Sequence, residues 1–195
     1  MKNKNSILGR TALALFIAEL LLVLLSWLLS AMMTEGVRSM LSSEGIRWFF
    51  GNFVDVLLTP QLLWILLLAM AWGTVRASRF WRKPTTYRER LAGRISLLLL
   101  VIYVLVILSL VIIPHAILLS ADGGLWPSAF SRGLVPSVAF GIVLSSIVYG
   151  LMAGTLPTLD AVFQSLSQGI SMSAPILVLY VLLVQLYASM LFVFM

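Results

Sequence analysis

The stretch Leu13–Met33, LALFIAELLLVLLSWLLSAMM, decides the fold class. It carries a single charge, Glu19, in a run otherwise made of apolar and small residues. A bilayer core takes about 20 residues of α-helix. Extended back to Ile7, the run is long enough to span with some tilt. The rest of the chain agrees: of 195 residues, 61% are hydrophobic and 10% charged, and the mean hydropathy is +1.07. Soluble domains are about 45–50% apolar and about 25% charged. A globule of this size buries only about two-thirds of the surface its unfolded chain exposes. A β-barrel needs alternating segments of about ten residues, and the apolar runs here are continuous. The expected fold is an all-α integral membrane protein.

Working outward, five spans are expected, near 7–33, 53–75, 95–119, 134–153 and 174–194, in one transmembrane domain covering 1–195. Two short amphipathic or re-entrant helices interrupt them. The first, near 37–51, starts at Ser42 and Ser43 with Glu44 at the positive helix end. It carries Trp48, Phe49 and Phe50, which suit the headgroup boundary. Thr59-Pro60 is an N-cap and first-turn pair, so the second span is expected to be a broken helix. Such breaks persist at membrane depth only where protein or a polar cavity covers the freed backbone groups. The second amphipathic segment puts Leu159, Val162, Phe163 and Leu166 on one face and is expected to stop at Gly169. The order of spans and amphipathic segments is that of an inverted-topology repeat, with the third span as connector.

Charge sets the orientation. The net charge is +6, but the basic residues sit at the ends of apolar spans, where topology signals belong. No nucleic-acid partner is therefore expected. Lys2, Lys4 and Arg10, with Arg76, Arg79, Arg82, Lys83, Arg88, Arg90 and Arg94, place ten of the 13 basic residues on one side. The positive-inside bias makes that side cytoplasmic, N-terminus included. The loop 76–94 would meet anionic lipid or a partner protein there. The N-terminal charges resemble a signal-peptide n-region, yet the run that follows is too long for an h-region and reads as a retained span. The chain has no cysteine, which removes disulfides and thiolate chemistry.

The polar residues inside the spans carry the functional signal. A charged carboxylate at Glu19 costs at least about 2.5–3.5 kcal/mol at the bilayer centre. The residue is expected to be neutral or paired, either as a proton-coupling site or as a hydrogen-bonded helix contact. Asp55, before the Thr59-Pro60 break, and Asp160, at the start of the second amphipathic segment, would frame a polar site if both segments re-enter the membrane; otherwise both are solvated interfacial residues. Gln185 sits near the centre of the last span as helix–helix glue or a site-lining amide. Ser146, Gly150 and Gly154 recur at intervals of four, a spacing that lets helices approach closely. His115, beside Pro114, is one histidine and makes no metal site by itself. No HExxH, GxSxG, P-loop or GxGxxG motif occurs, so neither an enzyme nor a bound cofactor is expected.

Ser42 to Trp48, SSEGIRW, within VRSMLSSEGIRWFFGNFVDVLLTPQLLWILLLAMAWGTV, resembles the early region of AbgT-type transporters, the p-aminobenzoyl-glutamate transporter family. Leu156, Pro157 and Asp160 in AGTLPTLDAVFQSLSQGI (153–170) are similar to a Leu-Pro and Asp pattern of the same family. The two segments cover about a third of this chain, and family members are more than twice as long. The resemblance implies a bacterial inner (plasma) membrane transporter built on inverted repeats, moving a small organic anion or amphipath with possible proton coupling. Glu19 and Asp160 would then couple, and Asp55 and Gln185 would line the site. A reduced transporter of this length would work as a homo-oligomer. The alternative is a non-transporting membrane subunit that scaffolds a larger complex, with Glu19 paired to a basic residue of a partner helix.

Overall fold

The computed structural model describes residues 2–34, 36–112 and 128–195, with side chains from residue 7 onward. Pro114, His115 and the far end of the third span lie outside the described residues. Six helices make up the described chain: α1 (Lys2–Ala31), α2 (Ser43–Leu57), α3 (Pro60–Ser78), α4 (Tyr87–Ile112), α5 (Ala129–Ala153) and α6 (Leu159–Phe194). No strand occurs among the described residues. Five helices, all but α2, are long and apolar enough to cross a membrane. The protein is an all-α integral membrane protein. In contacts, the chain forms two compact units, Met1–Leu63 with Ala174–Met195, and Trp64–Ser173.

In the first unit, α1 and the last part of α6 pack side by side. Leu8, Gly9 and Ala12 share a cleft with Pro175, Val178 and Leu179. Further along, Glu19 meets Ser189, and Leu22 and Val23 pack on Phe192 and Val193. The pairs advance together along both helices, so α1 and α6 run parallel. Two parallel spans require an odd number of crossings between them, and α3, α4 and α5 supply three. A spanning α2 would reverse α6. Its 15 residues reach only about 22 Å, short of a hydrocarbon core of about 30 Å. Parity and length agree that α2 does not cross.

The turn into α2 is built by its serines. Ser26, on α1, accepts the Met40 N–H at 3.1 Å. Ser42 caps α2 by accepting the Gly45 N–H at 3.1 Å, as its sequence predicts. Gly45 has no alternative residue here: a Cβ would fall 2.5 Å from the Ser39 and Met40 carbonyl oxygens. Trp48 stacks on Phe192 at 4.5 Å between ring centroids, and the Arg38 N–H donates to the Val193 carbonyl at 2.9 Å. These contacts clamp the 36–49 segment to the end of α6. The break before α3 falls at Thr59-Pro60, since proline lacks an N–H and suits a first turn. The Thr59 hydroxyl bonds the Tyr180 hydroxyl, so a side chain of α6 lies against the interruption.

In the second unit, α4 and α5 form an antiparallel pair. Arg88 reaches the end of α5, where its Nε donates to the Met152 carbonyl at 2.6 Å. At the other end the Tyr103 hydroxyl donates to the Ser137 carbonyl at 2.9 Å. Gly141 lies against the Tyr103 ring, with 2.8 Å left for a Cβ. α3 crosses the first part of α6 just as closely. A Cβ on Gly169 would fall 2.1 Å from the Ala69 carbonyl oxygen, and one on Gly73 would fall 2.2 Å from that of Ser165.

Gly169 therefore has a different role from the one its sequence suggests. The 159–168 segment is helical and amphipathic, but the helix does not stop at Gly169; it continues to Phe194 as α6. Glycine ends helices in water partly because it exposes backbone to solvent. Here the missing side chain makes room for a neighbouring helix, as small residues do between membrane helices. The third span likewise begins earlier than its hydropathy suggests, at Tyr87, because Glu89 caps the start: its carboxylate accepts the Thr85 N–H at 2.7 Å and the Thr86 N–H at 3.3 Å.

Candidate functional site

Glu19 is the acid placed deepest in a span, and the fold gives it one donor. Ser189, on α6, donates its hydroxyl to Glu19 Oε1 at 2.6 Å. Ser189 is fully buried, and Gln185, one turn earlier on the same face of α6, is 9% exposed. Glu19 Oε2 and Gln185 Oε1 are both buried and have no hydrogen-bond partner among the described residues. Two buried acceptors in this part of the seam are thus unmatched. Each buried acceptor left unmatched costs about 1–3 kcal/mol. A proton on Oε2, or a donor brought by a ligand or a partner chain, removes that deficit.

The other sequence-expected residues fall elsewhere. Asp55 is exposed on α2 and makes no hydrogen bond or ion pair among the described residues. It belongs to the first unit, and Asp160 to the second. Asp160 is exposed in the first turn of α6, where a carboxylate is favoured by the helix dipole. Thr158 caps that turn, accepting the Ala161 N–H at 3.2 Å. Ser146 is buried in α5. Gly150 faces Leu156, whose Cδ1 would lie 2.5 Å from a Cβ there. Gly154 is the left-handed residue that ends α5, with φ of +81°, a conformation glycine adopts freely.

Sequence reasoning missed Ser189 as the partner of Glu19. A serine inside VQLYASMLFVF interrupts no periodicity and carries no charge, so its only signal is its place one turn after Gln185 on the same face. It also missed Tyr180, which lies against the Thr59-Pro60 break. No group of three or more His, Cys, Asp or Glu side chains able to hold a metal occurs among the described residues. No protein-family model, curated protein or solved structure matches the chain.

Proposed function

We propose that the protein is a small membrane transporter of the AbgT-like kind, working as a homo-oligomer and moving a small organic anion or amphipath, with Glu19 as the proton-coupling group. The observation that carries this reading is the donor deficit at Glu19 and Gln185. A carboxyl that accepts one hydrogen bond and keeps a second oxygen buried has a binding place for one proton. Loss of that proton leaves a charge in the membrane, which strongly favours either re-protonation or a rearrangement that admits water or substrate. Gln185 would then line the site with its amide, and Ser189 would hold the carboxyl in place. The broken α2–α3 junction lies in the same unit, with the Thr59 hydroxyl bonded to the Tyr180 hydroxyl of α6. In this reading the N-terminus and the loop 76–94 face the cytoplasm of a bacterial inner membrane.

The test is uptake of p-aminobenzoyl-glutamate into proteoliposomes under an imposed pH gradient. The wild type should accumulate the probe only with the gradient, and Glu19→Gln should abolish accumulation. Gradient-driven uptake by Glu19→Gln at the wild-type level would exclude the coupling role.

The same free oxygen favours a second reading, a non-transporting subunit in which a basic residue of a partner helix fills the deficit. Gentle detergent extraction followed by mass spectrometry separates the two. A homo-oligomer supports transport, and one foreign protein at fixed stoichiometry supports the subunit.

A further inference from the structure

Three helix ends converge in the second unit: the end of α3, the start of α4 and the end of α5. Between them lies a cavity of about 190 Å³. Arg79, Arg82 and Lys83 contribute three cationic side chains to its wall, and Thr85, Tyr149 and Thr155 contribute hydroxyls. The one acid there, Glu89, already accepts from the Thr85 N–H, the Thr85 hydroxyl and the Thr86 N–H. The Thr155 hydroxyl is also engaged, donating toward the Ser78 and Gly150 carbonyls at 3.2 and 3.3 Å.

Tyr149 is different. It is 6% exposed and held by an edge-on contact with the Phe80 ring at 5.3 Å, yet its hydroxyl makes no hydrogen bond among the described residues. The ring is buried while the hydroxyl oxygen is not sealed from solvent, so a molecule entering the cavity can reach it. Tyr149 lines a cavity rich in positive charge, so an acceptor-bearing anion is the partner that fits. Arg79, the residue after α3, has φ of +58°, a left-handed conformation that costs a non-glycine residue about 1 kcal/mol or more, and it lines the same cavity. Beside it Trp81 is 78% exposed, an aromatic at the end of a span where headgroups lie.

We infer that this cavity binds the phosphate of an anionic phospholipid, with Arg79, Arg82 and Lys83 neutralising the charge and the Tyr149 hydroxyl donating to a phosphate oxygen. A lipid rather than a free anion is favoured by the position at the ends of three membrane-spanning helices and by Trp81 alongside. The inference is independent of transport at Glu19.

The experiment is native mass spectrometry of the intact chain, titrated with phosphatidylglycerol, with phosphatidylcholine of the same acyl chains, and with inorganic phosphate alone. Phosphatidylglycerol should be retained about tenfold more than phosphatidylcholine, the scale that a few basic contacts to an anionic surface provide. Arg82→Gln combined with Lys83→Gln should remove most of that preference. Arg90→Gln combined with Arg94→Gln, which changes net charge equally on exposed positions of α4 outside the cavity, should alter it less than about twofold. Tyr149→Phe should weaken retention about fivefold, the value of one hydrogen bond. Equal retention of both lipids, or equal loss in both double variants, would overturn the site. Binding of inorganic phosphate with no preference between lipids would overturn the lipid as its source.

Discussion

The α1–α6 seam and the α4–α5 pair are both built from helices long and apolar enough to cross a membrane. They close by opposite means. Along α4–α5, the Ser145 hydroxyl turns back onto its own helix, donating to the Gly141 carbonyl at 2.9 Å, and the buried Ser96 hydroxyl has no partner among the described residues. The helices meet through small residues and the Tyr103 ring, and their two cross-helix bonds, from Arg88 Nε to the Met152 carbonyl and from the Tyr103 hydroxyl to the Ser137 carbonyl, end on backbone. Along α1–α6, the Ser189 hydroxyl leaves its helix for a carboxyl on another, and two buried acceptors stay unmatched. Lipid is as apolar as leucine, so helices in a bilayer gain from close packing or from polar bonds. A polar seam with a donor missing is where chemistry can occur.

That contrast predicts where substitutions do most damage. The largest effect is expected in the close-packed unit: Gly169→Ala drives a Cβ into the Ala69 carbonyl and should cost about 3 kcal/mol or more, read as a large drop in thermal stability in detergent. Trp48→Ala removes the stack on Phe192 and should cost about 2 kcal/mol, with proteolysis of the 36–49 segment as a second readout. Ser189→Ala should cost only about 1 kcal/mol while impairing transport more than stability. Glu19→Gln keeps an acceptor for Ser189 and adds an amide donor to a site short of donors. Its stability should equal or exceed that of the wild type even as coupled uptake is lost. A large loss of stability in Glu19→Gln would make the polar seam structural and erase the distinction. The smallest effect belongs to the exposed Arg38–Glu44 pair, 3.9 Å apart; Arg38→Gln should shift stability by less than about 1 kcal/mol.

The same contrast explains what could be read from the sequence. Continuous apolar runs announce membrane spans directly, and the Ser42 cap and Thr59-Pro60 break follow from local chemistry that needs no tertiary partner. Gly169 could not be read that way. A glycine after an amphipathic segment looks like a helix stop until Ala69 and Gly73 are known to press against it. Glu19 was visible because a charge in a span is costly wherever it sits. Its partner Ser189 was not, since a serine can bond its own helix, as Ser145 does, or reach another, and only packing decides between them. The Tyr149 hydroxyl was hidden for a related reason: the helix ends that give it a basic cavity lie far apart in the chain.

Proton coupling to transport at the α1–α6 seam is the proposal that most needs a test. It is tested most directly by a pH-sensitive dye trapped in proteoliposomes while p-aminobenzoyl-glutamate is added outside. The account predicts a probe-dependent pH change inside vesicles carrying the wild type and none with Glu19→Gln. Probe uptake with no accompanying pH change, or an undiminished pH change in Glu19→Gln, would contradict it.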